Sequence, residues 1–208
     1  ITGGQTLMTS TVEEKSSRVV EVLLAAVSPV ELMAGKLIGQ LGVGLTSMAV
    51  YIGLALLVLH EYAMAGLLDP VLIVYLVVFY LLAYLVYGGL MLAIGAAVNQ
   101  MAEAQSLMAP VMMLLIAPYI FVPMIGMAPN SSFSVAMSFI PPVSSFAILA
   151  RLASITPPPL WQVLGSMLAG LAGAIAAIWF AAKVFRIGLL MHGKPPSFAT
   201  LIRWVRAA

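Results

Sequence analysis

The chain has 208 residues, 63% of them hydrophobic and 8% charged, with a formal charge of +2 and a mean hydropathy of +1.13. A soluble domain carries about 25% charged residues, so this composition excludes an ordinary water-soluble globule and fits a chain solvated by lipid. The absence of cysteine excludes a disulfide framework, a thiol nucleophile and a Cys-ligated metal site.

The chain starts at Ile1 without a charged n-region, so no signal peptide is expected. ITGGQTLMTST reads as the tail of a span, and the start as a cut within a longer protein. TVEEKSSRVVEVLLAAV reads as one helix, with Val12, Val19, Val22, Leu23 and Ala26 at helical spacing. Glu14 and Arg18, four apart, are placed to pair on it. Ser28-Pro29 ends that helix and opens a short second one, with Ser28 as N-cap and Glu31 at the capping-box position.

Four complete spans follow, at about 37–59, 71–98, 104–122 and 160–182. Gly35, Gly39, Gly42, Gly44 and Gly53 give the first a small-residue face for another helix, and glycines and alanines do the same for the last. The second carries Tyr75, Tyr80, Tyr84 and Tyr87, which read either as packing and interface residues or as the wall of a pathway. Region 123–159 is apolar but broken by Pro123, Pro129, Pro141, Pro142 and Pro157 to Pro159, which fits short helices re-entering the outer face. Residues 183–208 form a basic amphipathic tail. Of nine lysines and arginines, only Arg151 falls on the far side, so both ends of the chain are expected in the cytoplasm. Arg151 and Glu103 read as interfacial charges or, alternatively, as intramembrane functional groups.

Catalytic patterns are missing. Gly35-Lys36-Leu37 and Gly193-Lys194-Pro195 lack the hydroxyl and upstream glycine of a P-loop, so the chain is not expected to hydrolyse ATP by that route. His60-Glu61 opens like a zinc-protease motif, but Met64 stands where the second histidine belongs. Ser131, Ser132, Ser144 and Ser145 have no base partner in a plausible place, so no enzyme activity is expected. The segment rich in Glu, Lys and Arg before the first full span reads either as a solvated surface helix or as a docking element for a partner.

TVEEKSSRVVEVLLAAVSPVELMAGKLIG resembles the signature of ABC-2 type exporter permeases, in the branch that includes sodium-efflux permeases. It matches at Glu13, Glu14, Lys15, Arg18, Glu21, Leu23, Leu24, Ser28, Pro29, Leu32, Gly35 and Lys36. The tail is similar to that branch's terminal pattern at Arg186, Ile187, Gly188, Met191, Gly193, Lys194, Pro195 and Ser197. IGAAVNQMAEAQSLMAPVMMLL and SFIPPVSSFAILAR fit its middle, so the resemblance covers nearly the whole chain.

The resemblance implies an all-α polytopic transmembrane bundle, with a coupling helix around Ser28 to Lys36 and outer re-entrant helices at 123–159. Glu13, Glu14, Lys15, Arg18, Glu21, Ser28, Pro29, Glu31, Leu32, Gly35 and Lys36 would couple to an ABC ATPase subunit. Pro141, Pro142 and Arg151 would belong to the re-entrant region, and Arg186, Gly188, Gly193, Lys194 and Pro195 to the tail motif. This chain would hold no cofactor, with ATP and Mg on the ATPase, and a second permease subunit would complete the transporter in a bacterial inner membrane. The implied activity is export of Na+ or a small amphipathic compound. An ion-gradient carrier or channel, and a non-transporting scaffold for an ATPase, are the rival readings. Such permeases have six membrane helices and a large extracytoplasmic domain, so this chain would be their C-terminal part. No nucleic-acid partner is expected.

Overall fold

In a computed structural model of the protein, residues 2–17, 19–62, 69–189 and 200 are described. They are all-α, with no strand among them. The helices are α1 (Thr2–Ser16), α2 (Val19–Leu24), α3 (Pro29–Glu61), α4 (Pro70–Ala97), α5 (Met101–Met127), α6 (Ser132–Met137), α7 (Ser144–Leu152) and α8 (Leu160–Gly188). Of these, α3, α4, α5 and α8 are long and apolar enough to cross a membrane.

The first helix of the sequence reading is broken in two. Ser16 and Ser17 turn their hydroxyls back onto the Glu13 carbonyl, at 3.0 and 2.7 Å, and α1 stops there. Hydroxyls that bond nearby backbone compete with the helix ladder. The expected short helix over 28–36 is not separate from the first span. α3 is one helix of 33 residues, because no breaker lies between the Ser28 cap and Glu61 and glycine is tolerated in apolar helices. Its length is about 50 Å, against roughly 30 Å of hydrocarbon.

Two further boundaries differ. α5 runs through Pro110, Pro118 and Pro123 to Met127, five residues past the expected end. Pro118 cannot donate to the Leu114 carbonyl one turn earlier. The Tyr87 hydroxyl of α4 donates to that oxygen instead, at 2.9 Å. α8 continues past residue 182 through Lys183 and Arg186 to Gly188.

The core lies around the second half of α4. Tyr87, Met91, Leu92 and Ile94 are buried against Leu7, Met8 and Val12 of α1 and Ala181, Val184 and Phe185 of α8. A smaller cluster near the other end joins Phe79 and Leu82 of α4 to Ile148 of α7 and Val163 of α8. The glycine faces divide. On α8, Cβ atoms at Gly170 and Gly173 would press on Leu82 and Pro141 at 3.0 and 2.5 Å. On α3, Gly35, Gly39, Gly42 and Gly53 face open space, so four of the five glycines of the expected packing face are not covered by the described residues, whereas Gly44 lies against Tyr80.

Candidate functional site

The polar segment from Glu13 to Lys36 lies at the end of the bundle that also carries Lys183 and Arg186. Ser28 caps α3 in a reciprocal box. The Glu31 amide donates to Ser28 Oγ at 3.3 Å, while Ser28 N and Oγ donate to Glu31 Oε2 at 2.8 and 2.7 Å. Pro29 occupies the first turn, where its missing N–H costs nothing. The start of the long helix is therefore fixed, and the chain between α2 and α3 makes one tight turn.

Around that turn the expected residues sort into two sets. Glu13, Glu21, Ser28, Glu31 and Gly35 are exposed, with Pro29 and Leu32 half-buried beside them. Val19, Val22, Val27 and Val30 are exposed among them, Val22 at 74%. The helical spacing of Val12, Val19 and Val22 suggests a single packed face. In the structure Val12 is buried in the bundle and Val19 and Val22 are exposed, while Val20 takes the buried side of α2 after the break at Ser16. The result is an apolar surface edged by three carboxylates, a feature that spacing alone does not reveal. Its signal in the sequence is a valine-rich run placed among charges.

The second set points inward. Glu14 reaches a partner on another helix. Its Oε1 receives Lys36 Nζ at 2.7 Å, which ties α1 to α3, and Lys36 also reaches Ser10 Oγ at 3.4 Å. Lys15, expected to face a partner, is 2% exposed. Its Nζ donates to the Ala96 carbonyl at 2.9 Å and to the Gly188 carbonyl at 2.6 Å. Gly188, from the tail motif, thus meets Lys15 of the first motif. Arg186 is exposed on the last turn of α8. Arg18, Gly193, Lys194 and Pro195 lie outside the described residues.

At the opposite end Arg151 is not an exposed interfacial charge that snorkels to water. It is fully buried, and its guanidinium donates to neutral oxygens only. Nε binds the Pro129 carbonyl at 2.6 Å, one terminal nitrogen binds Ser138 Oγ at 3.0 Å, and the other binds Asn130 Oδ1 at 3.3 Å and Gln162 Oε1. One side chain of α7 therefore holds the turn after α5, the end of α6 and the start of α8. Pro141 and Pro142, joined by a cis peptide bond, form the turn between α6 and α7.

A cavity of about 610 Å³ opens between α1, α3, α4 and α5. Tyr51, Tyr80, Tyr84, Tyr87, Tyr119 and Phe146 give it aromatic walls, and no charged side chain lines it. Its volume falls in the range of small-molecule sites. The α4 tyrosines serve packing as well, since Tyr84 donates to the Leu37 carbonyl at 3.2 Å. Among the described residues, no group of three His, Asp or Glu side chains could hold a metal ion.

Comparison with known proteins gives the same outline. The family described as ABC-2 family transporter protein matches residues 1–183. Uncharacterised protein MJ1024 of Methanocaldococcus jannaschii is 28% identical over 186 residues, covering 89% of this chain and 45% of its own length. Uncharacterised protein YhaP of Bacillus subtilis is 28% identical over 208 residues, covering 94% of this chain and 49% of its own. The chain thus spans about half the length of both relatives. No solved structure matches it.

Proposed function

The chain belongs to the ABC-2 family of transporter proteins, and from that premise we propose that it is the permease part of an exporter driven by a separate ABC ATPase. It is an integral, multi-pass membrane protein. On this reading the basic end faces the cytoplasm of a bacterial inner membrane, by the excess of lysine and arginine there. ATP and Mg are held by the ATPase, and a second permease subunit completes the pathway.

The observation that carries the proposal is the continuity of α3. A helix of about 50 Å begins at a capped turn beside an exposed apolar and acidic surface and runs unbroken through the hydrocarbon. Force applied to the part of that surface carried by α3, at Val30, Glu31 and Gly35, therefore reaches the span within one helix. The docking set is Glu13, Glu21, Ser28, Glu31 and Gly35 together with Val19, Val22, Val27 and Val30. Its chemistry suits a groove with an apolar floor and a basic rim. Closure of the ATPases on ATP would favour one arrangement of α3, and that differential contact shifts the transporter between states.

Two cargo classes are weighed on the sequence resemblance, Na+ and a small amphipathic compound. The walls of the cavity combine aromatic rings with neutral polar groups (Thr6, Gln40, Ser47 and the tyrosine hydroxyls), with no charged side chain, which suits the amphipathic compound. The test uses the full-length permease with its ATPase in liposomes. Combining Glu13→Lys with Glu21→Lys should cut transport per ATP by about tenfold or more. Unchanged transport would remove this surface from the mechanism, and transport that persists without ATP would assign the chain to a gradient-driven carrier.

A further inference from the structure

We propose that Lys15 is a positioning residue that fastens the coupling segment to the transmembrane body by joining α1 to the ends of α4 and α8 at once. The proposal rests on the coupling reading above. Lys15 is buried, so it cannot serve a docking partner. Its two acceptors lie 81 and 173 residues away in sequence and belong to two different helices. Ala96 is among the last residues of α4, and Gly188 is the last of α8. Such terminal carbonyls have no partner within their own helix and carry the negative end of the helix dipole. A single ammonium set between two of them satisfies both and offsets both dipoles.

The backbone is shaped for this meeting. A Cβ at Gly188 would stand 2.7 Å from the Ala96 carbonyl, and a Cβ at Gly95 would stand 2.8 Å from the Met8 carbonyl. Glycine at both positions lets α8 and α1 close onto α4 with no side chain between them. Neighbouring Glu14 holds the other direction, through Lys36 of α3. The last turn of α1 is thus a two-way joint. A displacement of α3 enters through Glu14 and leaves through Lys15 to α4 and α8.

Among the described residues, the charged groups around the joint are these. Glu103 at the start of α5 supports the ammonium through its charge. Glu14 is committed to Lys36, Arg186 of α8 is exposed, and Lys183 lies over the Trp179 ring. Burial pushes the Lys15 ammonium down to about 8, with Glu103 acting in the opposite direction. The folded protein therefore gives up this proton at lower pH than the unfolded chain. The penalty on the buried charge is fully present below about pH 8 and is relieved as pH rises toward 10.5.

The test compares Lys15→Met and Lys15→Arg in the full-length permease with its ATPase. Lys15→Met should keep the ATPase bound in a pull-down but lower transport per ATP by about tenfold. Lys15→Arg, whose guanidinium can also donate to two carbonyls, should restore part of that coupling. Raising the pH from about 8 to about 10 should raise the unfolding midpoint of the wild type relative to Lys15→Met. Release of the ATPase by Lys15→Met would make Lys15 a docking residue and overturn the proposal, as would full coupling in that variant. The pH comparison reads the joint without the ATPase, so it separates failure of the joint from failure of the coupling reading. Should Lys15→Met not fold, Lys15→Arg supplies the same comparison, because arginine does not titrate in this range. A wild-type pH curve parallel to that of Lys15→Arg would then overturn the proposal.

Discussion

A methyl group added at Gly95 of α4 would sit 2.8 Å from the backbone of α1, while one added at Gly39 or Gly42 of α3 meets nothing within 4 Å. Both helices are long, apolar and marked by glycine, yet the second half of α4 is buried on several sides and the most apolar stretch of α3 has no buried residue. Glycine spacing states that two backbones can approach closely; it does not state that a second one is present. α3 is held near its first turns, where Met33 and Leu37 are buried and Lys36 is paired; beyond them it meets Tyr80 and Tyr84 and lines the cavity at Val43, Ser47 and Tyr51, while Gly39, Gly42 and Gly53 face open space. α4 is a fixed post, and α3 is an arm fastened near one end.

Substitutions can break or sharpen that contrast. The largest effect is expected at the post. Gly95→Val or Gly188→Val forces a side chain into backbone and should cost about 3 kcal/mol, read as a lowered unfolding midpoint in detergent. Arg151→Met should follow at about 2 kcal/mol, because it strips a charged donor from four oxygens around α6, α7 and α8. Tyr87→Phe should cost about 1 kcal/mol, since it leaves the Leu114 carbonyl without the donor that replaces the missing Pro118 amide. The smallest effect is expected on the arm. Gly39→Ala should be neutral or stabilise by up to about 1 kcal/mol through helix propensity. A loss at Gly39 as large as the loss at Gly95 would show that another helix covers α3 in the assembled protein.

Much of the outline was legible in the sequence. Hydropathy runs of span length located the four long helices, because lipid demands about 20 apolar residues whatever they pack against. Ser28-Pro29 with Glu31 announced the start of α3, since capping is local chemistry. What failed was the continuation of helices past proline and past lysine. The expected span ends before Pro123, yet α5 continues to Met127, while Pro118, already expected inside the span, is accommodated because Tyr87, 27 residues earlier, donates to the Leu114 carbonyl. The candidate site was legible as a segment but not as two faces. Glu13, Glu14 and Lys15 are consecutive, and only the fold shows that the first points outward, the second to α3 and the third into α4 and α8. The helical spacing that links Val12 to Val19 and Val22 does not carry across Ser16 and Ser17, where the helix breaks.

The most direct test measures the affinity of the ATPase subunit for three forms of the full-length permease: wild type, the Glu13→Lys and Glu21→Lys double variant, and Lys15→Met. The outward set should carry the contact, so the double variant should bind about tenfold or more weakly. Lys15→Met should bind as the wild type does, because Lys15 faces inward. Equal weakening by both, or wild-type affinity in the double variant, would contradict the division of this segment into a docking face and a fastening face.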